Sequence, residues 1–248
     1  GEIVESLLFY DNKGDVKGTK AIYNSLLANV TIDPRGLKLE YNPSKLLHPY
    51  HLNNDNQSLK EITNAIRADL KDKGILLGMD SELSVSRLDL ARNEQMSRPI
   101  GFYAPLFSSL KGKRQSNKEY PNSYYFYNKS QEANFYDKEK ALDYEYKGLN
   151  VPEIEKQTMR GELRAKKRDA VGRIYRFNDY ATLLKSSPEY RIDRYKGHLK
   201  SQLFSTNNPL QTTMFPDYQR NIEYLKELKE SMSRGAVGYF LNSITIDG

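Results

Sequence analysis

The stretch SYYFYNKSQEANFYD, residues 123–137, decides the fold. Residues 123–128 and 132–137 are dense in tyrosine and phenylalanine, which favour a pleated, half-buried surface. Asn128–Gln131 between them is polar and suits a turn. Two short strands joined by that turn are predicted. The second presents Asn134, Tyr136 and Lys138 on one face, because side chains alternate along a strand.

Outward from this hairpin, other runs share the two-residue period. In LKLEYN, 37–42, Leu37, Leu39 and Tyr41 oppose Lys38, Glu40 and Asn42. In SVSRLDLAR, 84–92, Arg87, Asp89 and Ala91 oppose Leu88 and Leu90. In MRGELRA, 159–165, Arg160, Glu162 and Arg164 oppose Gly161, Leu163 and Ala165. A helix is predicted after residue 58. Ser58 and Glu61 have capping-box spacing, Leu59, Ile62, Ala65, Ile66 and Leu70 recur at helical spacing, and Gly74 is a natural stop. Residues 43–57 and 108–122 read as loops, the second basic, with Lys111, Lys113, Arg114 and Lys118. Further helices are predicted over 138–147, from about 178 with Asn178 or Asp179 as cap, and over 217–232. The tail GAVGYFLNSITIDG is apolar and is expected to pack back on the body or to begin a further element. This order predicts an α+β fold with a mainly antiparallel central sheet and flanking helices. The expected domains are 1–180, carrying the chemistry, and a helical extension over 181–248.

Composition narrows the classes. Of 248 residues, 38 are Lys or Arg and 32 Asp or Glu, for a net charge of +6, with 19 tyrosines and no cysteine. Without cysteine there is no disulfide, no thiolate nucleophile and no cysteine-ligated metal. No apolar run approaches the roughly 18 residues of a membrane span, and no secretory leader is visible. A cytoplasmic protein without a membrane partner is expected. The chain opens on glycine, as an excised fragment would. A basic, tyrosine-rich chain suits a nucleic-acid partner, with cations for phosphates and rings for unpaired bases.

The strand parity gathers a chemical set. Glu40, Asp89 and Glu162 each stand on the polar side of a strand, with Lys38, Arg87, Arg160 and Arg164 two residues away. Carboxylate oxygens suit the hard ions Mg²⁺ or Mn²⁺. A metal polarises a phosphoryl oxygen, a tyrosine hydroxyl attacks phosphorus, and lysine and arginine offset the developing charge. The same alternation also suits cross-strand salt bridges. Periodicity does not select Tyr136 over Tyr125, Tyr127 or Tyr144, and sheet core is the expected role of the Tyr124–Tyr127 cluster. His48 and His51 stand three apart around a proline, which does not match a two-histidine metal strand, and no phosphate-cradling loop is present.

LKLEYNPSKL, SRLDLAR, SYYFYNKSQEANFYDKEKA and MRGELRAKKRDAV resemble, in order and spacing, the Rep-trans replication initiators of rolling-circle plasmids. The replication proteins of filamentous phages look related. The resemblance covers about residues 37–180. It implies an enzyme that nicks one strand at a double-strand origin, holds the end as a 5′-phosphotyrosine and later rejoins the ends. Tyr136 in FYDK matches the nucleophile, Asp89, Glu162 and Glu40 match acidic positions of a metal site, and Lys138 matches a basic position beside the nucleophile. With Arg160 added from strand parity, Tyr136, Lys138 and Arg160 form the expected catalytic set. Lys111, Lys113, Arg114, Lys166, Lys167 and Arg168 are the expected DNA contacts. Implied partners are origin DNA, a host helicase and polymerase, and a second copy of the chain, since one motif tyrosine serves two transesterifications. Tyr144 or Tyr146 is the alternative second nucleophile. Two other readings fit the same residues: a mobile-element transposase or relaxase with the same chemistry, and a non-catalytic sequence-specific DNA-binding protein.

Overall fold

The hairpin forms where its composition places it, as β7 (Ser123–Tyr127) and β8 (Gln131–Asp137). Asn128 closes the turn: its side-chain oxygen accepts from the amides of Ser130 at 2.9 Å and Gln131 at 3.0 Å. That side-chain substitute for a backbone turn is what asparagine provides. The structure, a computed structural model, describes residues 3–10, 12–23, 29–33, 36–43, 59–72, 74–80, 82–110, 114–145, 147, 157–203 and 239–247. The fold class is α+β. The chain divides into two compact units. One comprises Gly1–Asp89, Ala165–Pro188 and Phe240–Gly248, the other Leu90–Arg164 and Glu189–Tyr239.

The first unit holds an antiparallel sheet of β1 (Ile3–Tyr10), β2 (Val16–Tyr23), β3 (Asn29–Asp33), β4 (Gly36–Tyr41) and β10 (Tyr239–Asp247), in that spatial order. The apolar tail is thus a strand that pairs with β4, with Thr245 opposite Glu40. The expected alternation of β4 holds: Leu39 and Tyr41 are buried while Lys38 is exposed. Helix α1 (Leu59–Asp72) buries Ile62, Thr63, Ile66 and Leu70. It ends as Gly74 predicts. Gly74 adopts a left-handed φ of 77°, and the amides of Gly74 and Ile75 bond back to the carbonyls of Lys71 and Leu70, the pattern of a glycine C-cap. The Ser58 half of the predicted capping box lies outside the described residues.

Two further helices belong to this unit, α4 (Arg168–Tyr175) and α5 (Tyr180–Lys185). The first was not predicted. Lys166–Arg168 reads as a charge run, yet Ala170, Val171, Ile174 and Tyr175 behind it form a buried stripe. Of the two candidate caps, Asp179 is the one that caps α5, its carboxylate accepting from the Thr182 amide at 2.7 Å. A chain of hydroxyls crosses the core. Thr63 donates to the Leu59 carbonyl, so it accepts from Tyr180, which in turn accepts from Tyr41, each step at 2.6 Å.

The second unit holds β6 (Ser116–Tyr120), β7, β8 and β9 (Thr158–Ala165), with the latter half of β5 (Ser84–Gln95) beside β9. The segment 116–120, read as loop, is an edge strand whose residues are all exposed, so it lacks the buried alternate positions that reveal a strand. The hairpin's apolar face carries Tyr124, Phe126, Ala133 and Phe135, all buried. Phe107 of α2 (Ala104–Ser109) stacks on Tyr124 and Phe135, with ring centroids at 4.8 and 5.2 Å. Aromatic pairs at such separations add about 0.5–1.5 kcal/mol beyond burial. Helices α3 (Lys138–Glu145) and α6 (Pro188–Leu203) complete the unit, all but the first residue of α6 lying within it. No helix among the described residues is long and apolar enough to cross a membrane. The predicted helix over 217–232 and the loop over 43–57, apart from its first residue, lie outside the described residues.

Candidate active site

Strand parity places Tyr136 of β8 and Glu162 of β9 on one face of the second unit. The Tyr136 hydroxyl donates to Glu162 Oε1 at 2.9 Å. Arg160 Nε donates to the same oxygen at 2.8 Å, and Arg164 Nη2 donates to Oε2 at 2.6 Å. Arg164 also reaches Glu132 Oε1 at 2.9 Å. Arg160, two residues before Glu162, and Arg164, two after, share its side of the strand because the side-chain period is two. Both carboxylate oxygens of Glu162 are therefore occupied, and the carboxylate is 2% exposed.

The electrostatics follow from this packing. Burial by itself would raise the Glu162 pKa, but Arg160 and Arg164 outweigh it and hold the carboxyl at about 2. Tyr136 moves the other way: burial, opposed by Arg160 and reinforced by Glu162, pushes its phenol well above the ordinary value. In this resting arrangement the phenol is neutral and the carboxylate ionised. Tyr136 and Arg164 are both half-buried beside the buried Glu162.

The first unit holds the other carboxylates expected at a metal site. Arg87 grips Asp89 with two hydrogen bonds, Nε to Oδ1 at 3.1 Å and Nη2 to Oδ2 at 2.7 Å. Its third nitrogen reaches Glu40 Oε1 at 3.2 Å. Asp89 is 1% exposed. Glu40 also lines a polar cavity of about 250 Å³ with Asn29, Thr31 and Lys38. The strand register sets that lining, since Asn29 pairs with Glu40 and Thr31 with Lys38.

A divalent cation at this site would need free carboxylate oxygens. Both oxygens of Asp89 and both of Glu162 accept from guanidinium groups, whose charge repels a cation. Among the described residues no three His, Asp or Glu side chains gather as ligands of one ion. The donors as placed do not fit Mg²⁺ or Mn²⁺.

The other expected residues fall as follows. Lys138 opens α3 and is buried. Lys166 is half-buried, while Lys167 and Arg168 are exposed where α4 begins. Arg114 is exposed with a left-handed φ of 55°. Lys111 and Lys113 lie outside the described residues, as do His48, His51 and Tyr146. Tyr144 is exposed on α3.

Two further groups were not singled out from sequence. Glu132 shares the alternation of Asn134 and Tyr136, which is the signal that identifies it. The second group lies on the opposite face, where Arg92 pairs with Glu94, both buried within β5. Burial raises the Glu94 carboxyl to about 8. It also raises the phenol of Tyr195 on α6, with Glu162 and Glu94 adding to the shift. Nothing in strand alternation marks that pair, because it sits on the side that Leu88 and Leu90 identify as apolar.

Comparison of the sequence with protein-family models and with curated proteins finds no match.

Proposed function

We propose that the chain nicks and rejoins DNA with Tyr136 as its nucleophile. One observation carries this reading: a phenol hydrogen-bonded to a carboxylate between two guanidiniums. Those groups supply what phosphoryl transfer needs, namely a nucleophile, a proton acceptor and fixed positive charge. In the step, the Tyr136 Oη–phosphorus bond forms and the bond from phosphorus to the 3′ oxygen breaks. The phosphoryl group remains on the tyrosine as a 5′-phosphotyrosine. The phenolic proton passes to Glu162, and the leaving 3′ oxygen takes a proton from water. Rejoining is the reverse.

Glu162 is a weak base while it holds both guanidiniums. An entering phosphate competes for Arg164, the more exposed of the two. Drawing Arg164 away removes one of the charges that depress the Glu162 pKa, so substrate binding itself makes the carboxylate more basic. Arg160 stays in place to offset charge at phosphorus. Initiation of rolling-circle replication, with a host helicase and polymerase, is the context in which this chemistry fits the four ordered motifs. A transposase or relaxase would use the same step.

A non-catalytic DNA-binding protein is the second reading. The saturated ion pairs of Glu162 and Asp89, each with arginine two residues along the same strand, favour it, since buried ion pairs also occur with a purely structural role. The test incubates the protein with supercoiled origin DNA, with Mn²⁺, with Mg²⁺ and with a chelator, and looks for a covalent 5′ adduct. An adduct that disappears in Tyr136→Phe is expected. No adduct from the unaltered protein, or one that survives Tyr136→Phe, overturns the assignment. Salt-sensitive binding without an adduct selects the second reading.

A further inference from the structure

The hairpin has a second face, which the nicking chemistry uses only at one corner. Register places Ser116, Lys118 and Tyr120 of β6 opposite Tyr127, Tyr125 and Ser123 of β7. It then places Ser123, Tyr125 and Tyr127 opposite Tyr136, Asn134 and Glu132 of β8. Directly opposed residues project to the same side of a sheet, so Tyr120, Tyr125, Tyr127 and Tyr136 share one face with Lys118. Burial separates the two faces along β6 and β7. Tyr124 and Phe126 are 5% and 1% exposed, whereas Tyr120 and Tyr127 are 46% and 37% exposed and Tyr125 is half-buried. On β8 the second face is covered at Asn134, which is buried. An antiparallel sheet with one face packed and the other solvated is ordinary. Large rings on the solvated side are not, since polar side chains there would avoid the cost of exposed apolar surface.

We infer that this open face is a platform for single-stranded DNA, on which bases beside the scissile phosphate stack against Tyr125 and Tyr127. This rests on the role of Tyr136 proposed above. The spacing suits a strand of nucleotides. Tyr125 is the diagonal neighbour of Tyr136, about 7–8 Å away, and Tyr127 lies about 7 Å further along β7. The rings are already arranged as an array: Tyr120 meets Tyr125 edge-on with centroids 5.5 Å apart. Charge is complementary as well. Lys118 Nζ stands 4.8 Å from the centre of the Tyr120 ring, which puts a cation at the rim for a phosphate. A duplex offers no open ring faces along its length, so the platform selects unpaired strands. RNA shares the stacking chemistry, and only a direct comparison separates the two.

The test measures fluorescence anisotropy of a labelled oligothymidine of about 12 nucleotides, with an oligouridine and a duplex of matched length beside it. Tyr125→Ala and Tyr127→Ala are each expected to weaken single-strand binding by roughly fivefold to 100-fold and to leave duplex binding unchanged. Tyr127→Phe keeps the ring and is expected to bind as the unaltered protein does. Tyr127→Leu, which keeps bulk without the ring, is expected to resemble Tyr127→Ala. Alanine variants that bind the oligothymidine normally, or a Leu variant that matches Phe, overturn the platform. Tighter binding of oligouridine than of oligothymidine overturns its assignment to DNA. The two proposals fail separately. A Tyr136-dependent adduct with unaffected binding in the alanine variants removes the platform alone. Weakened binding in those variants, with no adduct from the unaltered protein, removes the nicking step alone.

Discussion

Tyr136 on β8 and Glu162 on β9 share one hydrogen bond of 2.9 Å, and it links a phenol that burial makes less acidic to a carboxylate that two arginines make less basic. The pair is poised with its proton on the tyrosine. Anything that removes Arg164 from Glu162 shifts that balance.

Replacing Tyr136 by Phe removes the hydroxyl and leaves the ring. The variant is expected to lose covalent adduct formation while losing only about 1.5–3 kcal/mol of stability, the worth of a hydrogen bond to a charged acceptor. Adduct mass spectrometry and urea denaturation measure the two effects. A variant that fails to fold would show that the hydroxyl is chiefly structural.

Acid should unfold the second unit through Glu162. Its folded pKa of about 2 lies below the ordinary value of 4.5. Its contribution to stability is therefore fully present above about 4.5 and drains away as the pH falls from there towards 2. The shift corresponds to something on the order of 3 kcal/mol. Glu162→Gln should flatten this part of the stability–pH curve. It should also cost about 3–5 kcal/mol at neutral pH, because Arg160 stays buried without its counter-charge. A curve as steep in the variant as in the parent would place the acid sensitivity elsewhere.

Gly161 sits between Glu162 and Arg160 on the opposite side of β9. A Cβ there would lie 3.1 Å from the Tyr195 hydroxyl and 3.4 Å from the Phe135 ring. Gly161→Ala forces the tyrosine to give way and should destabilise by about 1–3 kcal/mol, as overpacking does. Its thermal melt should fall, and Tyr195→Phe in the same chain should recover part of the loss by removing the oxygen in contact. No recovery would mean that Phe135 sets the limit.

In the first unit, Thr63→Val keeps shape and deletes the acceptor for Tyr180. The buried phenol then has no terminal partner in its chain, and a loss of about 1–3 kcal/mol is expected. Denaturant titration reads it. An unchanged midpoint would show that the Tyr41–Tyr180 pair is satisfied without Thr63.

The sequence by itself determined the strands whose faces differ in polarity. LKLEYN, SVSRLDLAR and MRGELRA each alternate, and a period of two cannot be met by a helix with one buried stripe; SYYFYN and EANFYD are marked instead by their aromatic content. It determined that Arg160, Glu162 and Arg164 project together, and it identified the Gly74 stop and the Asp179 cap, because those are contacts within a few residues of one another. It missed β6, whose five residues are all exposed, and α4, whose apolar stripe follows three basic residues. Tertiary structure alone decided the rest. Pairing brought Tyr136 to Glu162 across 26 positions and Arg87 to Glu40 across 47. It also decided which of the hairpin's tyrosines are core and which are surface. Alternation sorts Tyr124 from Tyr125, but only the packing of Phe107 shows which side is covered. The physical reason is range: alternation and capping act between neighbours, whereas burial and ion pairing depend on segments the chain brings together only on folding.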